Sequence, residues 1–381
     1  MKIVHLCLSC FYVDGYAYQE NILVAEHVKA GHEVHVIAST ESYDERGQVT
    51  YLSPSSYIGT DGAAVTRLPY KFNSIPRLAK KFRSYSGLFE ILEEIRPQTI
   101  IFHGLCAWSL LTVSSYVRSN PKVKLIADCH EDFNNSAKNW LSRELLHKCF
   151  YRPIFRRSVD QIHQVMCVTV ESLDFAIDFY GSPRGKTCMY PLGCTIESTE
   201  AVARRRADFR NRHDLLDADI VITQTGKLDH TKRLSAALQC FCSNPSPALK
   251  FVIAGRMSAD VKSVCLPLIQ SDSRIVDLGW QSTEELRSVL AGADCFLQPF
   301  GQTVTTQMAM GYGCVILAQD LPSHRWLVGD KGCLFEDFNE LSFVFNWVLE
   351  NQARLDQLQR ATLQFAAANL DYRQLALQIV S

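Results

Sequence analysis

No stretch of this 381-residue chain approaches a run of about 18 apolar residues, so nothing in it reads as a transmembrane helix. An excess of either charge is also missing. With 39 lysines and arginines against 40 acids, the formal net charge is -1, and the basic surplus expected of a nucleic-acid binder is absent. The start, MKIVHLCLSC, lacks the n-region, h-region and cleavage-site order of a signal peptide and reads as a first strand. No GxxxxGK[ST] occurs, which excludes a Walker A loop. Gly311–Tyr312–Gly313 is a tight turn after a helical stretch, and a dinucleotide fingerprint needs its glycines before the helix. Residues 298–319, QPFGQTVTTQMAMGYGCVILAQ, contain no carboxylate at all.

What is present fits a globular protein of two domains. The length exceeds one ordinary core, and 47% hydrophobic with 21% charged residues is a globular balance. Most of the 14 cysteines lie in apolar runs, as Cys167, Cys295 and Cys314 do, where they serve as small buried hydrophobes. Cys7 and Cys10 have CxxC spacing but sit at a strand end with no matching second pair. Free thiols and a reducing cytoplasm are therefore expected.

Short β-branched runs at 3–8, 34–38, 99–102, 124–127 and 165–169 alternate with helical periodicity at 20–29, 88–95, 108–117 and 173–179. A second alternating series begins at 220–224 and continues through 251–254, 275–278, 295–297 and 315–317. Its helices include 234–242 and 284–290, the latter opened by the capping box Ser282–Glu285. Strand–helix alternation specifies an α/β class with two doubly wound, Rossmann-like parallel sheets. The boundaries predicted are a first domain over 1–195, a polar linker over 196–219 and a second domain over 220–367. Ligands of such sheets bind beyond the carboxyl ends of the strands, so a pocket facing a central cleft is expected.

Those strand ends carry the candidates. Gly15 opens the turn after the first strand, ahead of a helix whose N-terminus favours an anion. After 124–127 come Asp128, His130, Glu131 and Asp132, costly to bury unpaired and read as a site. Gly226, Lys227 and Lys232 follow the strand at 220–224, a glycine turn with two ammonium groups that suits a diphosphate. Gly255 and Arg256 end the next strand. Thr303, Val304 and Thr305 start a helix whose free N–H groups can cradle phosphate. Two basic, aromatic-bearing segments, 77–83 and 151–157, suit either an anionic membrane surface or an ordinary solvated face.

Together these motifs resemble family 4 glycosyltransferases, retaining enzymes of GT-B fold. The likeness runs over nearly the whole chain: the turn at 11–19, GHEV at 31–34, His130, the PLG turn at 191–193, Gly226–Lys227 with Lys232, Gly255, Gly279–Trp280 and Ala293–Asp294 stand in the family's order. The resemblance implies a nucleotide-diphosphate sugar as donor, a glycan or lipid-linked acceptor and work at the cytoplasmic membrane face. It also implies that the last helix, about 368–381, packs back on the first domain. His130 would orient the sugar, Lys227 and Lys232 would neutralise the leaving diphosphate, and Trp280 would stack on the base. No metal or other cofactor is expected, because the lysines and helix dipole take the charge. The sequence departs from the family at its paired glutamates. Gln307 stands at the ribose-binding position, and counting back eight reaches Pro299. Three readings follow: an active transferase with a degenerate donor site, a catalytically impaired partner subunit or glycan-binding module, and a nucleotide-sugar epimerase of similar architecture. The retained His130 and lysines favour the first.

Overall fold

A computed structural model describes residues 1–44, 48–71 and 76–380, the last stretch without the side chains of 76–78. The chain divides into two compact units, Met1–Pro191 with Leu375–Ser381, and Leu192–Gln374. The C-terminal return thus begins at Leu375.

In the first unit the strands are β1 (Lys2–Cys7), β2 (Glu33–Ser39), β3 (Glu41–Tyr43), β4 (Val49–Tyr51), β5 (Ser55–Ile58), β6 (Ala64–Leu68), β7 (Thr99–Phe102), β8 (Lys124–Cys129), β9 (Gln164–Cys167) and β10 (Thr187–Met189). Eight form one sheet in the order β10-β9-β8-β7-β1-β2-β6-β5, while β3 and β4 make a separate hairpin. All sheet neighbours are parallel except the edge pair β5 and β6. β1 is buried from Ile3 onward, as a parallel strand covered on both faces must be. Its side chains alternate between two cores. Val4 and Leu6 pack with Phe102 and Phe155, and Cys7 packs with Val24 and Val36 on the other face. The helix Gln19–Lys29 ends in a Schellman motif: Gly31, at φ +81, donates to Val28, and His32 donates to His27. Chain order reverses between β1 and β7, so the topological switch point lies there.

The second unit holds β11 (Ile220–Leu228), β12 (Leu249–Met257), β13 (Ile275–Asp277), β14 (Cys295–Gln298), β15 (Val315–Gln319) and β16 (Cys333–Phe335). They form one parallel sheet in the order β13-β12-β11-β14-β15-β16, with its switch point between β11 and β14. Ile222 and Leu297 face one core, Val221 and Phe296 the other.

The stretch expected to be a polar linker is instead mostly a helix, Thr199–Arg212, with its start capped by Ser198. Its packing is polar. Arg206 and Arg210 each reach a different carboxylate oxygen of Asp294 at 2.6 Å, and Asp294 also accepts the Val221 N–H at 2.8 Å. Arg210 and Asp294 are 2% and 5% exposed, so the group is an internal tie. Among the described residues no helix is long and apolar enough to cross a membrane.

Among the described side chains of the two basic segments, several turn inward. Tyr151 and Phe155 are buried in the core. Lys80 lies over the Tyr51 ring, and Arg83 turns inward to Ser9 and the Cys106 carbonyl. The Arg77 side chain lies outside the described residues.

Candidate functional site

In the first unit a cavity of about 490 Å³ opens at the β1/β7 switch point. Ser9 and Cys10 enter it from beyond β1, His103 and Gly104 from beyond β7, and His130 and Glu131 from beyond β8. Glu20, Arg83, His147 and Tyr151 line it from the surrounding helices and turns. Arg83 reaches inward from a left-handed backbone (φ 49) after the helix Pro76–Phe82, a conformation unusual for a residue with a side chain. Gly104, at φ +90, leaves no room for a Cβ, which would fall 2.7 Å from the Ser9 hydroxyl.

The acidic cluster at the end of β8 divides its work. Asp132 accepts the N–H groups of Asn134 and Asn135 and only shapes the turn. Glu131 accepts the Leu105 and His130 N–H groups. Asp128, 4% exposed, bonds His103 Nδ1 at 2.5 Å and the Gly104 N–H at 2.7 Å. Its other contact is His130, whose Nε2 lies 3.6 Å away and whose side chain is 39% exposed. Burial opposes protonation of His103 and His130, and in both the Asp128 carboxylate outweighs it, raising His103 to about 10 and His130 above its ordinary value. Burial works against the ionised Asp128 too, yet the two imidazoles hold its carboxyl well below the usual range. Behind His103 stand His5 and His27, each ring nitrogen bonded to the next at 3.0 Å, and His27 Nε2 reaches the Ala376 carbonyl at 3.0 Å.

The second unit gathers its candidates at the ends of β11, β12 and β14. Gly226 takes φ +109, a backbone conformation that residues with side chains rarely adopt. Gly255 has a different reason: a Cβ there would lie 2.2 Å from the Gly226 carbonyl oxygen, so the glycine lets two strands meet. Lys227 is exposed and Lys232 partly buried, and neither forms an ion pair among the described residues. Burial lowers the Lys232 pKa, with Asp229 offsetting it in part. Beside β11, the chain leaving β14 starts the helix Val304–Gly311 under a Thr303–Thr306 capping box. The N–H groups of Val304 and Thr305 have no acceptor within that helix.

Glutamines occupy the rest of this corner. Gln307 is fully buried, donates to Gln302 at 3.1 Å and leaves its own carbonyl oxygen unpaired. Gln302 in turn donates to the Ser323 carbonyl at 2.7 Å, and Gln298 holds the Phe300 and Gly301 carbonyls. Trp280 is 55% exposed, with the Arg256 guanidinium 5.5 Å from its ring centre.

Two family profiles match the chain, Glycosyltransferase Family 4 over residues 22–198 and Glycosyl transferases group 1 over residues 219–351. The chain belongs to glycosyltransferase family 4. Its fold is GT-B, as solved structures agree. Sucrose-phosphate synthase from Thermosynechococcus elongatus superposes with TM-score 0.68 at 14% identity, covering 100% of this chain and 97% of that one. Anabaena HepE in complex with UDP and glucose gives 0.64 at 16%, covering 100% and 98%. A glycosyltransferase from Rickettsia africae gives 0.69 at 12%, covering 100% and 96%. At these identities the likeness establishes the fold alone. No curated protein matches by sequence.

In this family 4 chain His130 and Glu131 thus line the first unit's cavity, Asp128, Asp132 and Gly15 belong to the same unit, and the other candidates lie in the second. Gly15 is not among the cavity residues. Its φ of +79 follows a turn that Asp14 ties to Thr60. Sequence reasoning missed His5, His27, His103 and the inward Arg83. Nothing in their spacing sets three lone histidines apart from core residues; only the strand pairing of β1 and β7 brings two of them together.

Proposed function

We propose that this protein transfers a sugar from a nucleotide-diphosphate donor to a glycan or lipid-linked acceptor, with retention and without a metal. The carrying observation is Lys232, a partly desolvated ammonium without an ion pair among the described residues, in the short turn beyond β11, the strand that flanks the second unit's switch point. An unbalanced cation there suits a diphosphate. In this reading Gly226 and Lys227 extend the phosphate cradle, and the Val304 and Thr305 N–H groups complete it. Stabilising the leaving diphosphate is the main catalytic contribution of this half, since charge develops there as the glycosidic bond breaks. In this reading His130 orients a sugar, and the first unit's cavity that it lines offers hydroxyl, amide, carboxylate and imidazole groups that suit a polyol. That Anabaena HepE was solved with UDP and glucose supports a uridine donor as the first to try.

The glutamine corner favours one competing reading. Pro299 and Gln307 replace the paired carboxylates, and Gln307 is already bonded to Gln302. A protein that binds nucleotide without turning over, serving as a partner subunit, would look the same there. Calorimetry with UDP, GDP and ADP, followed by release of nucleotide from the sugar donor, separates the two. Binding with slow donor hydrolysis is expected for the enzyme; binding without any hydrolysis or transfer selects the partner subunit. Absence of affinity for all three nucleotides refutes both.

A further inference from the structure

Four hydrogen bonds run in series from the Ala376 carbonyl through His27, His5 and His103 to Asp128. Their direction follows from one end. A carbonyl only accepts, so His27 Nε2 carries a proton. A neutral His27 then presents a bare Nδ1, and His5 donates to it from Nε2. His5 Nδ1 is bare in turn, and His103 donates to it from Nε2. The fourth bond, His103 Nδ1 to Asp128 at 2.5 Å, also needs a proton. Four bonds hold four protons, one more than three neutral imidazoles carry. The surplus proton belongs to the His103–Asp128 pair. Titration agrees: burial draws His27 down to about 4 and lowers His5 well below its ordinary value, while Asp128 raises His103.

We propose that His5, His27 and His103 are positioning residues that set the charge on His130. Holding the surplus proton on His103 neutralises Asp128, so His130 faces a balanced ion pair rather than a bare carboxylate. Its own proton is then held less tightly than a bare carboxylate would hold it, and is available for exchange with a bound sugar. The other titratable groups facing these rings are Glu20 on the helix Gln19–Lys29, Cys7 on β1, Glu131 beyond β8 and His32 beyond the helix. None of them displaces the series, because all six ring nitrogens of the three histidines are already bonded within it. The series ends on the last helix, Tyr372–Val380, so the docking of that helix fixes the direction of every bond in it.

His5→Leu removes the acceptor for His103 Nε2 at a fully buried position. His103 then becomes the neutral Nδ1–H form, Asp128 is left unbalanced, and His130 takes up its proton more strongly. The expected shift in the His130 midpoint is upward by about one pH unit, a tenfold gain in proton affinity. His5→Gln keeps an oxygen toward His103 and an N–H toward His27, and should retain the parent midpoint. The readout is NMR of the full chain labelled with ¹⁵N-histidine, without donor, assigned through His103→Gln and His130→Gln. In the parent protein His103 should carry protons on both nitrogens from pH 5 to 8. A singly protonated His103, or a His130 midpoint unchanged in a folded His5→Leu, overturns the proposal. If the leucine variant does not fold, the parent spectrum decides alone. The role given to His130 rests on the transferase reading, but the spectrum needs no nucleotide, so the two fail separately.

Discussion

Replacing Lys232 by methionine separates binding from stability. The aliphatic stem is kept and the ammonium is lost. Charge-assisted hydrogen bonds contribute about 1.5–3 kcal/mol, so the affinity for UDP or another accepted nucleotide diphosphate should fall roughly 10- to 150-fold. Lys227 is exposed, where a charge contributes about 0.2–1 kcal/mol, so Lys227→Met should weaken binding less than about sixfold. The folded protein should respond in the opposite direction. Burial places the Lys232 pKa below its unfolded value of 10.5, so folding disfavours the charged form. For a base the penalty is complete at neutral pH and disappears as pH rises through the folded pKa towards 10.5. The methionine variant should therefore melt no lower than the parent at pH 7, and the difference should shrink in alkaline buffer. Calorimetric titration and thermal melts at two pH values supply both numbers. A smaller affinity loss than that of Lys227→Met, or a destabilised protein at pH 7, would refute the reasoning.

Three further outcomes are expected. Asp294→Ala strands the buried Arg210 guanidinium, the half-buried one of Arg206 and one N–H, which should cost about 3–5 kcal/mol and lower the second unit's melting point by roughly 6–20 °C in a calorimetric scan; a negligible shift would mean that the helix Thr199–Arg212 is not held as described. Gly255→Ala forces β11 and β12 apart, and urea unfolding should register a loss of about 1–3 kcal/mol. Asp128→Asn should flatten the pH dependence of stability. The carboxylate's contribution is present above its unfolded value of 3.8 and lost as pH falls below it, and the His103 contribution is full below 6.5 and lost as pH rises through about 10. The parent's advantage over the variant should therefore be widest between about pH 4 and 6.5, and an advantage independent of pH would contradict the pairing.

The alternation of strands and helices was legible because parallel strands covered on both faces are continuous apolar runs, as at β1 and β12. The strands β3 to β6 were not, since an edge pair and a hairpin carry mixed, partly exposed residues such as Val49, Tyr51 and Ile58. The helix Thr199–Arg212 escaped for a related reason: arginines reaching one aspartate leave no apolar stripe to read. Among site residues, glycines and lysines beside strand ends announce themselves locally, whereas His5 and His103 are ninety-eight positions apart and meet only through register. Gly255 carries a demand that its place at a strand end does not announce, its smallness serving a neighbouring strand.

The return of Leu375–Ser381 to the first unit has a consequence for synthesis. Translation proceeds at about 5–20 residues per second, so the whole of Leu192–Gln374 must emerge before Ala376 does, a wait of roughly 10–40 s. Throughout that interval His27 has no carbonyl to donate to, and the nascent first unit holds its histidines without a fixed direction. The unit made first is therefore finished last, and its proton pattern is set only once the whole second unit has been made.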